Sequence, residues 1–561
     1  MKTSKLIWQV YPLVLPLIGG ILMGLTPSSV EAWPLAWVAL VPLWFIVATG
    51  KSLRQNALCG LLWGIGYHGL AVFWITGIHP MTWMGVPWLA SLAIALLCWS
   101  FLTLWGAALV AVWAACQFWI LPSSNSVVRT GLGWINQNPK LLALVRVLIG
   151  TALWCGLEAL WSAGPLWWTS LSYTQSPHNL PILHLGQLSG PSTVTAAIIA
   201  VNGLIAEGWI SYQHTREPGR GGARERGSQG ESSTQLRNKP ASPHPLTYLG
   251  MAAGLLVVLH LIGFGLYSRP LIQPSVAALK VGIIQGNIPN EIKLYSEGGR
   301  RALEGYTTGY RTLADQDVDA VLTPEGALPF QWTTLVQSRS SFYSAVLEKG
   351  VVAWIGAFGQ RGRSYTNSLF TVTDNGETFS RYDKVKLVPL GEYIPFEQVL
   401  GGLVDRLSPL DAHQVAGSPT QLFDTPFGRA IASICYESAF SQHFRRQALA
   451  GGQFILSSAN NAHYSASMPA QHHAQDVMRA IETDRWAVRA TNTGYSGIVN
   501  PHGRTIWISR LNTYEIHAET IYRRQTQTLY VRWGNWLTPV LLGSAGLSWF
   551  VCHGRFSKHR A

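Results

Sequence analysis

The chain has 561 residues, of which 48% are hydrophobic and only 12% charged. A soluble protein carries about 25% charged residues, so this composition excludes an ordinary water-soluble enzyme and points to a membrane protein. The net charge of +13 does not indicate a nucleic-acid partner, because the basic residues gather in short loops between apolar segments.

In chain order, eight apolar segments approach the roughly 20 residues a helix needs to span a bilayer. They lie near 7–26, 33–49, 57–78, 88–115, 142–162, 190–210, 246–267 and 535–552. The fourth is the strongest, uncharged from Trp88 to Leu121, the second is short, and the sixth is diluted by Ser192, Thr193, Thr195 and Asn202. The first follows Lys2 and Lys5 as a signal peptide would, yet no convincing small-residue cleavage site follows, so it reads as a retained anchor. Glu158 lies inside the fifth segment, where a charge costs roughly 3 kcal/mol on insertion scales. It reads either as a functional group or as a structural partner of the region around Arg146.

The positive charges divide the loops. Lys2, Lys5, Lys51, Arg54, Arg129, Lys140, the run Arg216–Lys239, Arg555, Lys558 and Arg560 share one side, while loops 27–32, 79–87 and 163–189 contain no Lys or Arg. Short basic loops stay in the cytoplasm. The expected organisation is a seven-span membrane domain (1–267) with a flexible basic linker near 213–245, then an extracytoplasmic domain (268–534). An eighth span and a cytoplasmic tail (535–561) follow.

The outside domain alternates strand and helix. Ala278–Gln285 predicts a strand, Gly299–Ala314 a helix, Ala320–Thr323 a strand, Ser338–Glu348 a helix and Val352–Phe358 a strand. Asp374-Asn375-Gly376 predicts a hairpin between Leu369–Thr373 and Thr378–Tyr382. Arg429–Ile434 and Phe454–Ser458 predict strands, Ser438–Leu449 and Ala470–Val488 helices, and short β-rich runs continue to Tyr530. This is a layered α/β domain with several hairpins.

Five of the six cysteines lie in or beside the apolar segments; Cys435 is alone in the outside domain, without a disulfide partner there. It ends a strand and begins a helix, a junction where the positive helix end would lower a thiol pKa. An attacking thiolate needs a base and an oxyanion stabiliser. Glu325, also at a strand end, is placed for the first role, and either Lys384 or Lys386, after the hairpin, for the second. His443, His463 and His472 offer an alternative base. His463, His472 and His473 lack a recognisable zinc spacing, and no dinucleotide or P-loop fingerprint occurs.

Six motifs taken together resemble the apolipoprotein N-acyltransferases, a membrane-bound branch of the nitrilase superfamily. They are Gln285-Gly286-Asn287-Ile288-Pro289, and Pro324-Glu325 before Ala327-Leu328-Pro329. Tyr365-Thr366-Asn367-Ser368 follows, then Tyr382-Asp383-Lys384 leading to Leu387-Val388-Pro389 and Gly391-Glu392-Tyr393. Cys435-Tyr436-Glu437 and Arg489-Ala490-Thr491-Asn492-Thr493-Gly494 complete the set. The resemblance implies a membrane helical bundle joined to a nitrilase-like αββα sandwich. It implies Glu325 as general base, Lys384 as oxyanion stabiliser and Cys435 as nucleophile, with Glu392, Tyr436 and Glu437 in support. It also implies acyl transfer from a membrane phospholipid, through a cysteine thioester, to the α-amine of a diacylglyceryl-modified apolipoprotein. The setting would be the bacterial cytoplasmic membrane, with no cofactor and no metal. A membrane-tethered amidase or nitrilase-type hydrolase would share the triad.

Four positions depart from the family pattern: Thr323 stands where Trp is usual, Leu294 replaces another Trp, and Asn461 and His463 lie in a segment usually Asn-Asp-Ala-Trp. Phe396, Val399, Leu400, Leu403 and Leu407 recur at helical spacing, as an amphipathic lid near the bilayer or as a core-facing helix.

Overall fold

The computed structural model describes residues 2–50, 52–120, 139–216, 244–333, 337, 339–389, 391–393 and 414–554. The basic linker and the apolar repeat at 396–407 lie outside the described residues.

The apolar segments become helices α1 (Lys2–Gly24), α2 (Val41–Thr49), α3 (Leu53–Ala71), α4 (Trp88–Ile120), α5 (Pro139–Ala163), α6 (Pro191–Arg216) and α7 (Pro245–Tyr267). Among the described residues four stretches are long and apolar enough to cross a membrane: Trp88–Ile120, Pro139–Ala163, Pro191–Gln213 and Pro245–Tyr267. Leu13–Gly24, Trp33–Thr49 and Leu537–Val551 are apolar but shorter. The segment expected over 57–78 divides, α3 stopping at Ala71 and a 3-10 turn running Phe73–Ile78. Leu97, Phe101 and Leu104 on α4, and Val257, Leu261 and Phe264 on α7, face outward, as lipid-facing side chains do.

The polar residues that dilute the sixth segment are the ones that fix it. Asn202 donates to Ala36 O and Ile198 O and accepts from the Leu40 amide. Thr195 donates to Glu158, which also accepts from the Leu171 amide and the Ser170 hydroxyl. Arg146 therefore does not serve Glu158. Its guanidinium forms a buried ion pair with Glu207 on α6, which also accepts from the Trp44 indole.

Twelve strands among the described residues build two six-stranded sheets, ordered β12-β1-β2-β3-β4-β5 and β11-β10-β9-β8-β7-β6. The first contains β1 (Ala278–Gln285), β2 (Ala320–Leu322), β3 (Val352–Arg361), β4 (Ser364–Val372), β5 (Thr378–Asp383) and β12 (Glu515–Tyr522). The second contains β6 (Phe423–Thr425), β7 (Gly428–Ile434), β8 (Phe454–Ala459), β9 (Ala487–Thr491), β10 (Gly497–Val499) and β11 (Thr505–Ile508). β1-β2-β3 and β7-β8-β9 run parallel within otherwise antiparallel sheets.

Period-two alternation sorts side chains between two interfaces. Val281 and Ile283 on β1 and Ala430, Ala432 and Ile434 on β7 join one core between the sheets. The opposite face of the first sheet packs on α8 (Ser296–Ala314) and α9 (Ser341–Lys349), through Tyr306, Tyr310, Phe342 and Val346. The opposite face of the second, with Ile431 and Ile455, packs on α10 (Ser441–Leu449) and α11 (Ser467–Thr483). The layers are αββα, as expected. The helix expected over 470–488 ends earlier, because Asp484 turns left-handed at φ +56° and β9 begins at Ala487. The last β-rich run stops at Tyr522, before a short helical turn, Leu529–Trp533, and α12 (Leu537–Gly554).

The bundle and the sandwich share contacts at α11. Gln471 donates to Ser28 O and Ala71 O and accepts from the Trp168 indole. Val72, Trp74, Trp167 and Trp168 from the bundle side form one apolar cluster with Ala439, Phe440 and Met468.

Removing one partner of a buried ion pair strands the other charge, at a cost of about 3–5 kcal/mol, whereas replacing both with apolar groups is often tolerated. Glu207→Ala should therefore lower the thermal unfolding midpoint in detergent sharply. The double substitution Arg146→Met with Glu207→Met should recover much of the loss.

Candidate active site

Each functional side chain leaves the end of a strand. After β2, Thr323 donates to Trp354 O and accepts from the Gly356 amide, tying the turn to β3. A Cβ at Gly356 would lie 1.9 Å from Pro324 O, so only glycine lets the turn approach this closely. The turn buries Glu325. One carboxylate oxygen accepts from Lys384 Nζ at 2.9 Å and Asn367 Nδ2 at 2.6 Å, the other from the Asn460 amide at 2.8 Å.

Lys384 follows β5, and its amide is pinned to Asn367 O at 2.8 Å. Its ammonium is 1% exposed and lies 2.8 Å from Glu392 as well as 2.9 Å from Glu325. Glu392 in turn accepts from the Val388 amide. Lys386 points elsewhere, with its ammonium 4.7 Å from the centre of the Phe440 ring. Of the two lysines, Lys384 is thus the one that meets Glu325.

Cys435 follows β7 at φ +52°, a left-handed conformation uncommon in non-glycine residues and frequent at functional sites. Its sulfur lies 3.9 Å from Asn460 O. Asn460, at the end of the neighbouring β8, thus meets the sulfur with its carbonyl and Glu325 with its amide. Glu437 braces the Cys435 segment against that of Lys384. It accepts from the Ile434 amide and Tyr382 hydroxyl on one oxygen, and from the Val385 and Lys386 amides on the other. Asp476, paired with Arg489, accepts from Ser438. Tyr436 donates to Pro165 O and stacks on Trp168, linking the site to the bundle.

None of His443, His463 and His472 has a described hydrogen bond to the sulfur. His472 meets the backbone carbonyl of Cys435 at 2.7 Å, His443 lies among Tyr382, Ala432 and Gln447, and His463 lies against Asn290. The unusual Asn461 packs against Met468 and His472, while Leu294 is exposed.

The expectation that a helix start lowers the thiol pKa is not met. The helical turn at Cys435–Ala439 is five residues long, and burial, joined by the Glu325 charge, pushes the thiol up to about 12 against the pull of Lys384. Burial works to raise the Glu325 carboxyl, but the Lys384 ammonium outweighs it and holds the group below the usual carboxylate range. Burial likewise works to lower Lys384, and Glu325 and Glu392 outweigh it, so the ammonium is held well above its ordinary value. The resting site is a thiol beside a carboxylate and an ammonium. Such a thiol ionises as its proton is taken, so a base within reach is required.

Two residues at this site were not singled out from the sequence. Asn460 was marked only by its strand end, the position shared by Glu325 and Cys435, and as the first residue of the segment usually Asn-Asp-Ala-Trp. Lys293, whose ammonium donates to Glu325 O at 2.9 Å, sits four residues after the Gln285–Pro289 motif.

A buried carboxylate, lysine and cysteine at strand ends of an αββα sandwich define a nitrilase-type site. Residues 280–527 match the carbon-nitrogen hydrolase family model, and residues 19–204 the apolipoprotein N-acyltransferase N-terminal domain. An apolipoprotein N-acyltransferase of Nostoc sp. is 62% identical over 94% of this chain and 97% of its own length. One from Synechocystis sp. is 46% identical over 94% of this chain and 98% of its own. The chain belongs to the apolipoprotein N-acyltransferase family, and is an acyltransferase. Among solved structures, an amidase from Nesterenkonia sp. aligns at 16% identity and a TM-score of 0.35, covering 47% of this chain and 95% of that one.

The acid response follows from the two buried carboxylates. Burial works to raise Asp476, but Arg489 outweighs it and holds it low, as Lys384 holds Glu325. Both carboxyls thus sit below their unfolded-chain values of about 4. Their stabilisation is complete above that value and is lost as pH falls through the folded values. The contribution of these two carboxyls should be constant from about pH 7 to about pH 5 and fall below that, so Asp476→Asn should lower the thermal midpoint near neutrality and flatten the part of its decline that lies below about pH 5.

Proposed function

We propose that this chain transfers a fatty acyl group from a membrane phospholipid to the α-amine of the lipidated N-terminal cysteine of apolipoproteins, through a thioester on Cys435. The observation that carries this reading is the joint placement of Cys435 and Glu325 on Asn460, with Lys384 bound to Glu325. Cys435 Sγ attacks the donor's ester carbonyl as Glu325 takes the thiol proton. Lys384 donates to the developing oxyanion, the kind of electrostatic support that mutagenesis values at about 10²- to 10³-fold in rate. The C–O ester bond breaks, and the lysophospholipid leaves with the proton returned by Glu325. The acceptor amine then attacks the thioester, the C–N bond forms and the C–S bond breaks. The amine proton passes through Glu325 and the sulfur regains a proton. Glu392 holds Lys384, Glu437 fixes Cys435 against the Lys384 segment, and Tyr436 ties the nucleophile to the bundle.

Both substrates carry acyl chains whose methylenes are each worth about 0.8 kcal/mol in the bilayer, so the site must come to the membrane surface. The Trp167–Trp168 loop against Phe440 supports that reading. The charge pattern supports eight spans, with 1–267 and 535–561 forming the membrane part. It places 268–534 outside the cytoplasmic membrane, on the periplasmic side.

Cys435→Ala should abolish N-acylation of a diacylated lipoprotein in membranes, and Lys384→Met should slow it at least about 10²-fold. Intact mass spectrometry of the wild type without acceptor should find the chain heavier by one acyl group on Cys435. Transfer that survives Cys435→Ala would sink the mechanism.

A further inference from the structure

Lys293 is a buried lysine without a carboxylate partner among the described residues. It closes the short helical turn Asn290–Lys293 after β1, and its one described hydrogen bond goes to the backbone carbonyl of Glu325. An ammonium has three protons to donate, and burying it without a counter-charge is costly. Other groups close to it are Glu291 on its own turn, Cys435 after β7 and His463 after β8, with Lys384 and Glu392 on the far side of Glu325.

Charge balance explains why a cation is kept there. Lys384 carries one positive charge and faces two carboxylates, Glu325 and Glu392. With the thiol protonated, this group is net −1. During attack the negative charge passes from Glu325 to sulfur and then to the carbonyl oxygen, and the proton stays on Glu325. A second ammonium brings the group to neutrality throughout. Burial draws Lys293 down to about 8, with Glu325 and Cys435 acting to hold it up, so the cation persists near neutral pH. His463, drawn down to about 4 by burial and by Lys293 itself, does not compete as a cation.

We propose that Lys293 is a positioning residue for acyl transfer: it anchors the Glu325 turn by its carbonyl and supplies a second positive charge that favours ionisation of Cys435. The proposal rests on Cys435 being the nucleophile, so its test reads the thiol itself as well as transfer.

The full chain in vesicles is treated with iodoacetamide between about pH 6 and pH 10, and carbamidomethylation of Cys435 is timed by peptide mass spectrometry. Lys293→Gln keeps a donor for the Glu325 carbonyl and removes only the charge, Lys293→Met removes both, and Lys293→Arg keeps the charge. The rate at a given pH follows the thiolate fraction, which changes tenfold per pKa unit. Below about pH 8 Lys293→Gln and Lys293→Met should both react about 3- to 10-fold more slowly than wild type, and the gap should narrow above it as the wild-type ammonium loses its proton. Lys293→Arg should stay within about twofold. A Lys293→Gln profile that overlies wild type, or a Lys293→Arg profile as slow as Lys293→Gln, overturns the second-cation role. Transfer that survives Cys435→Ala instead overturns the underlying mechanism, so the two failures are distinguishable.

Discussion

The contact of the buried Lys384 with Glu325, also buried, and with the half-buried Glu392 organises the site. In a dry interior no charge of this kind stands alone, so Glu325, Lys384 and Glu392 must be placed together or not at all. Their segments come from the end of β2, the end of β5 and the turn beyond it. Asn367 on β4 closes the group by donating to both carboxylates. The Cys435 thiol is held neutral by burial beside this ion pair.

The brace at Glu437 explains how two sheets present one site. The cysteine belongs to the second sheet and the lysine to the first, so their spacing depends on the packing between sheets. Glu437 takes amides from both segments, Ile434 on one side and Val385 and Lys386 on the other. A carboxylate accepting several backbone amides is a strong, directional tie. It ties the Cys435 segment to the Lys384 segment across the apolar interface between the sheets.

Much of this was legible in the sequence. Strands such as Ala278–Gln285 and Arg429–Ile434 were visible because each is a short, largely apolar run that follows turn-forming residues. The triad was visible because each member follows a strand, though choosing Lys384 over Lys386 needed the family resemblance. What stayed hidden depends on distance in space. Nothing local says that Arg146 reaches Glu207 rather than Glu158, or that Asn460 touches both Glu325 and Cys435. The thiol's high pKa was missed because the local cue, a helix start, is weak in a five-residue turn, whereas burial and a nearby carboxylate are tertiary facts. The end of α11 was missed because Asp484 stops the helix through a backbone twist that its neighbours do not announce.

Gln471 and His472 are consecutive on α11, and they grip different parts of the molecule. The first holds carbonyls of the α1–α2 connection and the end of α3, and the second holds the carbonyl of the nucleophile. A soluble fragment cut free of its anchor would keep every reactive atom and the His472 contact, but lose the bundle carbonyls that hold the neighbouring Gln471, and α11 with it. The reaction centre and its lipid setting are thus inherited as one piece, which restricts how such a chain can be shortened, fused or exchanged between proteins.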